Sequence, residues 1–107
     1  MKRPHKWVII KITNNDEMHY KLFGTWYGGY LDGDYWRLNS GITKVVENEN
    51  EFKFFGQSGS VYICDKTTYG TNNYSQSVLN GIIEKAESTG VKIEILPEDT
   101  IWVDLEF

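Results

Sequence analysis

Cysteine is almost missing from this chain of 107 residues: Cys64 stands alone, so no intramolecular disulfide can form, and no Cys/His set has zinc spacing. A stapled or zinc-held scaffold is thereby excluded, and a reducing compartment is expected. Long apolar runs are missing too. The basic start Met1-Lys2-Arg3-Pro4-His5-Lys6 is followed only by Trp7 to Ile10 before Lys11 intervenes, too short for a secretory signal or a membrane span. The expected setting is the cytoplasm, with no membrane partner. Basic residues are outnumbered, 11 Lys and Arg against 15 Asp and Glu, for a net charge of −4. Non-specific duplex DNA binding needs clustered cations and is disfavoured. The acidity is also too dispersed for a nucleic-acid mimic, because Asn48 and Asn50 dilute the acidic stretch from Glu47 to Glu51. With no internal repeat or low-complexity segment, residues 1–107 are expected to form a single domain.

Aromatic residues are abundant. Four Trp, seven Tyr and five Phe make up 15% of the chain, and each such ring can bury roughly 150–250 Å², enough for a small domain to fold without staples.

The pattern along the chain is strand and turn up to Cys64. Trp7–Thr13 is rich in β-branched residues and ends in the turn residues Asn14-Asn15-Asp16. A second strand is expected from Met18 to Tyr27. The Asp32-Gly33 step marks a hairpin turn before a strand at Tyr35–Leu38. Further strands are expected at Ile42–Val46, Phe52–Phe55 and Ser60–Cys64. From Tyr74 or Ser75 the apolar positions Val78, Leu79, Ile82, Ile83 and Ala86 share one helical face, with Asn73 or Ser75 as cap and Gly90 past the end. Gly81 costs this helix about 1 kcal/mol relative to Ala and is expected to mark a close approach to the sheet. Val91–Leu96 alternates as a last strand, and Ile101–Phe107 is expected to dock as a short strand or arm. The fold class is α+β: a largely antiparallel, twisted sheet of about six to seven strands with one helix, in the C-terminal half, packed on one face.

The densest stretch for function is 24–41, with five glycines, five large aromatics, Asp32, Asp34 and Arg37. Trp26, Tyr27, Tyr30, Tyr35 and Trp36 fall on both parities of their strands, so one helix-covered core cannot hold them all. The expected ligand surface comprises Trp26, Tyr30, Trp36, Arg37, Asn39 and Ser40, with Ser58 and Ser60 from the Gly56–Ser60 loop. Rings supply stacking faces, and Arg37 with the loop amides supplies donors for a polar or anionic group. The plain alternative is a hairpin with core aromatics and turn glycines, and hairpin geometry alone explains the glycines. The Gly56–Ser60 loop lacks the lysine and strand-to-helix setting of a phosphate loop.

Candidates for acid–base chemistry are Asp32, Asp34, Asp65, Glu98, Asp99, His5 and His19. Carboxylates in an Asp-Gly-Asp turn are ordinarily solvated turn formers. Cys64 is expected to be a buried, inert thiol; the sharper alternative has Lys66 and Tyr69 lowering its pKa or binding a ligand.

The strings WYGGYLDGDYWRLNSGI (26–42) and FFGQSGSVYIC (54–64), followed by Tyr69-Gly70, resemble a family of small hypothetical proteins of bacteriophages and prophages, over about Trp7 to Tyr69. That family brings no activity, cofactor or catalytic residue to carry over. What the resemblance implies is a setting, the host cytoplasm, and a role in binding a host protein or a nucleotide or nucleic-acid ligand, including to blunt host defence. The expectation is therefore a non-catalytic binding protein without cofactor or metal. The alternatives are a metal-dependent phosphodiesterase or nuclease using Asp32, Asp34 or His19, and a structural homo-oligomer joined through its surplus aromatics.

Overall fold

The computed structural model describes residues 1–28 and 33–107. Its strands are β1 (Lys6–Asn14), β2 (Glu17–Trp26), β3 (Tyr35–Leu38), β4 (Ile42–Glu47), β5 (Glu51–Gly56) and β6 (Val61–Asp65); helix α1 (Asn73–Ser88) and strand β7 (Lys92–Ile95) follow. All pairings between these strands are antiparallel. The fold is α+β, as the periodicity indicates. The strands do not form one sheet, however. They divide into a four-stranded sheet of order β3-β2-β1-β7 and a three-stranded sheet of order β4-β5-β6.

The division occurs after β3. Asn39 N–H still bonds Leu22 C=O at 3.0 Å, continuing the β2–β3 ladder by one residue. Gly41 then takes φ 128°, a conformation that glycine adopts without a Cβ penalty, and the chain turns away to start β4.

The four-stranded sheet is thus covered on both faces. Trp7, Ile9, Tyr20, Leu22 and Trp26 pack against Ile42, Phe54, Tyr62 and Cys64 of the second sheet. On the other face Val8, Ile10 and Phe23 pack against Leu79 of α1, with Val78, Ile82 and Ile83 alongside. Two cores explain why Trp7-Val8-Ile9-Ile10 is continuously apolar: adjacent strand residues point to opposite faces, and here both faces are buried. They also explain the two parities of the aromatics in β2.

Local chemistry sets the ends of the elements. The β1–β2 hairpin closes through Asn15-Asp16, with Asn15 at φ 56°, a conformation Asn tolerates better than most residues. The cap of α1 is Asn72, one residue before Asn73 and three before Ser75, the two expected caps: its Oδ1 accepts from Ser75 N–H at 2.8 Å and Ser75 Oγ accepts from Asn72 N–H at 3.1 Å. At the other end Gly90 takes φ 83° and Val91 N–H reaches back to Ala86 C=O at 2.9 Å. Gly81 does not approach the sheet. It is exposed, and a Cβ placed there would meet nothing within 4 Å. The segment after Pro97 is an arm with a short 3-10 turn at Trp102–Asp104, and buried Trp102 anchors it in the core between the sheets. Among the described residues no helix is long and apolar enough to cross a membrane.

Candidate functional site

The residues expected to bind a ligand occupy three places, and Tyr30 lies outside the described residues. The first is the inter-sheet side of the β2–β3 pair. Trp26 is buried there, its ring stacked on exposed Tyr35 at 5.4 Å and 6.3 Å from the Tyr62 ring. Arg37 shares this side: burial raises the Tyr62 phenol above its ordinary pKa, and the nearby Arg37 charge works against that rise. Lys2 Nζ lies 5.8 Å from the Tyr62 ring centre. The second place is the opposite side of the same strands, where Trp36 stacks on Phe23 at 5.5 Å with 38% of its surface still exposed. Trp36 and Arg37 are neighbours in β3, and strand alternation sends them to opposite faces.

The third place brings Asn39, Ser40, Ser58 and Ser60 together where the sheets meet. Ser40 Oγ accepts from Ser58 N–H at 2.9 Å, the Ser40 and Ser58 hydroxyls are 3.1 Å apart, and those of Ser58 and Ser60 are 3.5 Å apart. Asn39 is 3% exposed; its Oδ1 accepts from Leu22 N–H at 2.8 Å, while its Nδ2 has no partner among the described residues. Bare Gly56 permits this crowding, since a Cβ on it would lie 2.7 Å from Ser60 Oγ and 3.0 Å from Ser40 Oγ. These hydroxyls bond chiefly with one another, so the cluster acts as a polar joint between the sheets.

The acid–base candidates are dispersed. Asp32 lies outside the described residues, and Asp34 accepts from Asn72 Nδ2 at 2.9 Å, beside the start of α1. His19 belongs to the far end of β2. From Trp26, which pairs with Tyr35, back to His19 the strand runs on the order of 20 Å at about 3.3 Å per residue. Asp34 and His19 therefore cannot share a metal. No group of three His, Cys, Asp or Glu gathers for a metal among the described residues. His5 does find a partner: its Nδ1 accepts from Tyr27 N–H at 2.9 Å, and the two rings stack at 4.8 Å. Asp65 Oδ1 accepts from Thr67 Oγ and N–H, which holds its carboxyl below the ordinary pKa. Burial, and then the charge of Glu51, push the Cys64 thiol up, the opposite of activation.

Lys66 and Tyr69 instead line a cleft of about 220 Å³ at one end of the inter-sheet core, with Trp7, Phe52, Trp102, Glu47, Glu98, Asp99 and Thr100. Its floor is an aromatic cluster: Tyr69 meets Trp7 edge to face at 4.7 Å, and Trp102 lies 5.5 Å from Tyr69 and 5.9 Å from Trp7. Trp7 Nε1–H donates to Asp65 C=O at 2.8 Å, fixing that ring. Three carboxylates and one ammonium form its rim. The cleft joins the 65–69 loop, the start of β1 and the C-terminal arm. Glu98, Asp99, Lys66 and Tyr69 stand out singly in the sequence, but local periodicity carries no signal that they meet.

The chain matches no family model, and no curated protein or solved structure is similar enough to count as a match.

Proposed function

We propose that this is a small non-catalytic binding protein that recognises a partner protein through the edge strand β3. The observation that carries this reading is the run Tyr35-Trp36-Arg37, all exposed, on a strand that pairs only with β2 among the described residues. Tyr, Trp and Arg are the residue types that dominate the centres of protein interfaces. Their alternation selects the kind of partner. A nucleotide stacked on Trp36 would lie across the sheet from Arg37, whereas a polypeptide that adds to the edge contacts both faces and the backbone between them. The resemblance to phage and prophage proteins supports a host protein in the cytoplasm as that partner, with interference in host defence or takeover as its consequence.

The test is a pull-down from bacterial lysate, followed by titration of the captured protein. Trp36→Ala and Arg37→Ala should each weaken binding by about 10- to 30-fold, the loss of an interface anchor worth roughly 1.5–2 kcal/mol, with the far-UV circular dichroism unchanged. Unaltered capture by the double variant would overturn this assignment. So would thermal stabilisation by a nucleotide that depends on the same two side chains.

A further inference from the structure

We infer that the cleft beside Trp7 and Trp102 is a second binding site, one that takes an organic cation, a guanidinium or alkylammonium head. Three observations support this. The first is its electrostatic balance. Glu47, Glu98 and Asp99 surround it, and Lys66 is the single cation in its lining. Lys66 pairs with Glu47, while Glu98 and Asp99 form no ion pair among the described residues. Two carboxylates therefore remain uncompensated at the rim, which repels anions and attracts cations.

The second is an internal precedent. Lys66 Nζ sits 5.0 Å from the centre of the Phe52 ring while contacting Glu47, so the cleft already holds one ammonium between a ring face and a carboxylate. On the other side Glu98 stands close enough to the Tyr69 phenol for its charge to be felt there. A visiting cation between Tyr69 and the Glu98-Asp99 pair would find the same combination of ring and carboxylate.

The third is size. At about 220 Å³ the cleft is smaller than the roughly 300–1,000 Å³ of pockets that enclose whole small-molecule ligands, so it suits one cationic head and its stem. Guanidinium fits the two adjacent carboxylates best, because its planar fork can pair with carboxylate while stacking on an aromatic face.

The probe is Nα-acetyl-arginine amide, compared with Nα-acetyl-citrulline amide, which has nearly the same shape and no charge. Binding is read from the indole N–H resonances of Trp7 and Trp102 in ¹H–¹⁵N spectra. Saturable shifts with the arginine compound, and at least tenfold weaker binding of the citrulline compound, are expected. Glu98→Gln with Asp99→Asn should weaken arginine binding at least tenfold. Lys66→Met should strengthen it severalfold, because it removes the resident ammonium and frees Glu47. Trp36→Ala should change nothing, which separates this site from β3. A Gly-Gly-Arg-Gly-Gly peptide that binds more than threefold tighter than the capped amino acid assigns the cation to a protein segment; equal affinity assigns it to a free organic cation. Equal shifts from the charged and neutral compounds, no saturation, or a response to inorganic phosphate that Lys66→Met abolishes would each overturn the proposal. The rim residues tested are at the surface, and the remaining resonances report directly whether each variant is folded.

Discussion

Tyr69 shows how much one side chain can carry in so small a protein. The β1–β7 ladder runs out at Ile10 and Ile95, and Leu96 N–H adds one more bond to Ile9 C=O at 2.9 Å. The remaining pair is bridged by the phenol, which accepts from Ile9 N–H at 3.2 Å and donates to Leu96 C=O at 2.5 Å. Tyr69→Phe leaves both backbone groups without this partner and should cost about 1–3 kcal/mol in urea unfolding at neutral pH. Its ionisation gives a separate readout. Burial pushes the phenol up to about 12, with Glu98 adding to the rise and the Ile9 N–H bond opposing it. Between an unfolded value near 10 and the folded value, the native state holds the proton more tightly. The contribution is therefore complete below about pH 10 and is lost as pH climbs towards 12. The wild type should lose stability more steeply than Tyr69→Phe across that window; parallel curves would refute the assignment. Asn39 has a comparable role one strand away, on the β3 side of the same sheet, at Leu22, the residue paired with Ile9. Asn39→Ala strips the buried Leu22 N–H of its acceptor, for an expected loss of about 1–3 kcal/mol in the same assay.

At the scale of elements, helix α1 combines optimised ends with an unoptimised middle. Its capping box and the Gly90 turn satisfy backbone groups at both termini, yet Gly81 sits exposed with open space around it. Gly81→Ala should stabilise the protein by about 0.5–1 kcal/mol, seen as a raised urea midpoint with unchanged slope. A loss of stability would mean that the site is crowded after all. Smallness alone does not place Gly81 against the sheet. Sequence shows that a residue is small, whereas the apolar stripe at Val78, Leu79, Ile82 and Ile83 already marks the opposite surface as the packed one. Strand limits were legible to within a residue or two, because Asn15, Gly33, Gly59 and Gly90 are local turn signals and each has positive φ. Sheet membership was not legible. Ile42–Glu47 reads as the same β-branched run whether it pairs with β3 or begins a second sheet, and the choice depends on Gly41 and on the Ser40 contacts across to Ser58. The same limit hid the cleft, whose lining comes from segments 7, 47–52, 66–69 and 98–102. Each was readable alone, but their meeting is a product of long-range packing.

For the whole molecule, the decisive feature is that β1 belongs to two cores at once. Trp7 and Ile9 serve the inter-sheet core, Val8 and Ile10 the helix-facing one, and all four are 2% exposed or less. The aromatic surplus is divided accordingly: Tyr20 and Trp26 of β2 fill the space between the sheets, with exposed Tyr35 stacked on Trp26 at its margin, and Phe23 with half-exposed Trp36 lies on the other face. Neither layer can be lost without exposing one face of the strand that the other layer needs, so the three layers should unfold together. Ile9→Ala and Ile10→Ala make this testable, because each opens a cavity on a different face of adjacent residues. Each should cost about 2–5 kcal/mol. In both variants far-UV circular dichroism, dominated by α1 and the strands, and tryptophan fluorescence, to which Trp7, Trp26 and Trp102 between the sheets contribute together with Trp36 on the other face, should shift to the same lower midpoint. If Ile10→Ala moved the dichroism transition alone, the helix would be a separately melting layer docked on an independent β-structure. Coincident transitions in both variants would locate the cooperativity in the paired strands β1 and β2, whose side chains alternate between the two cores.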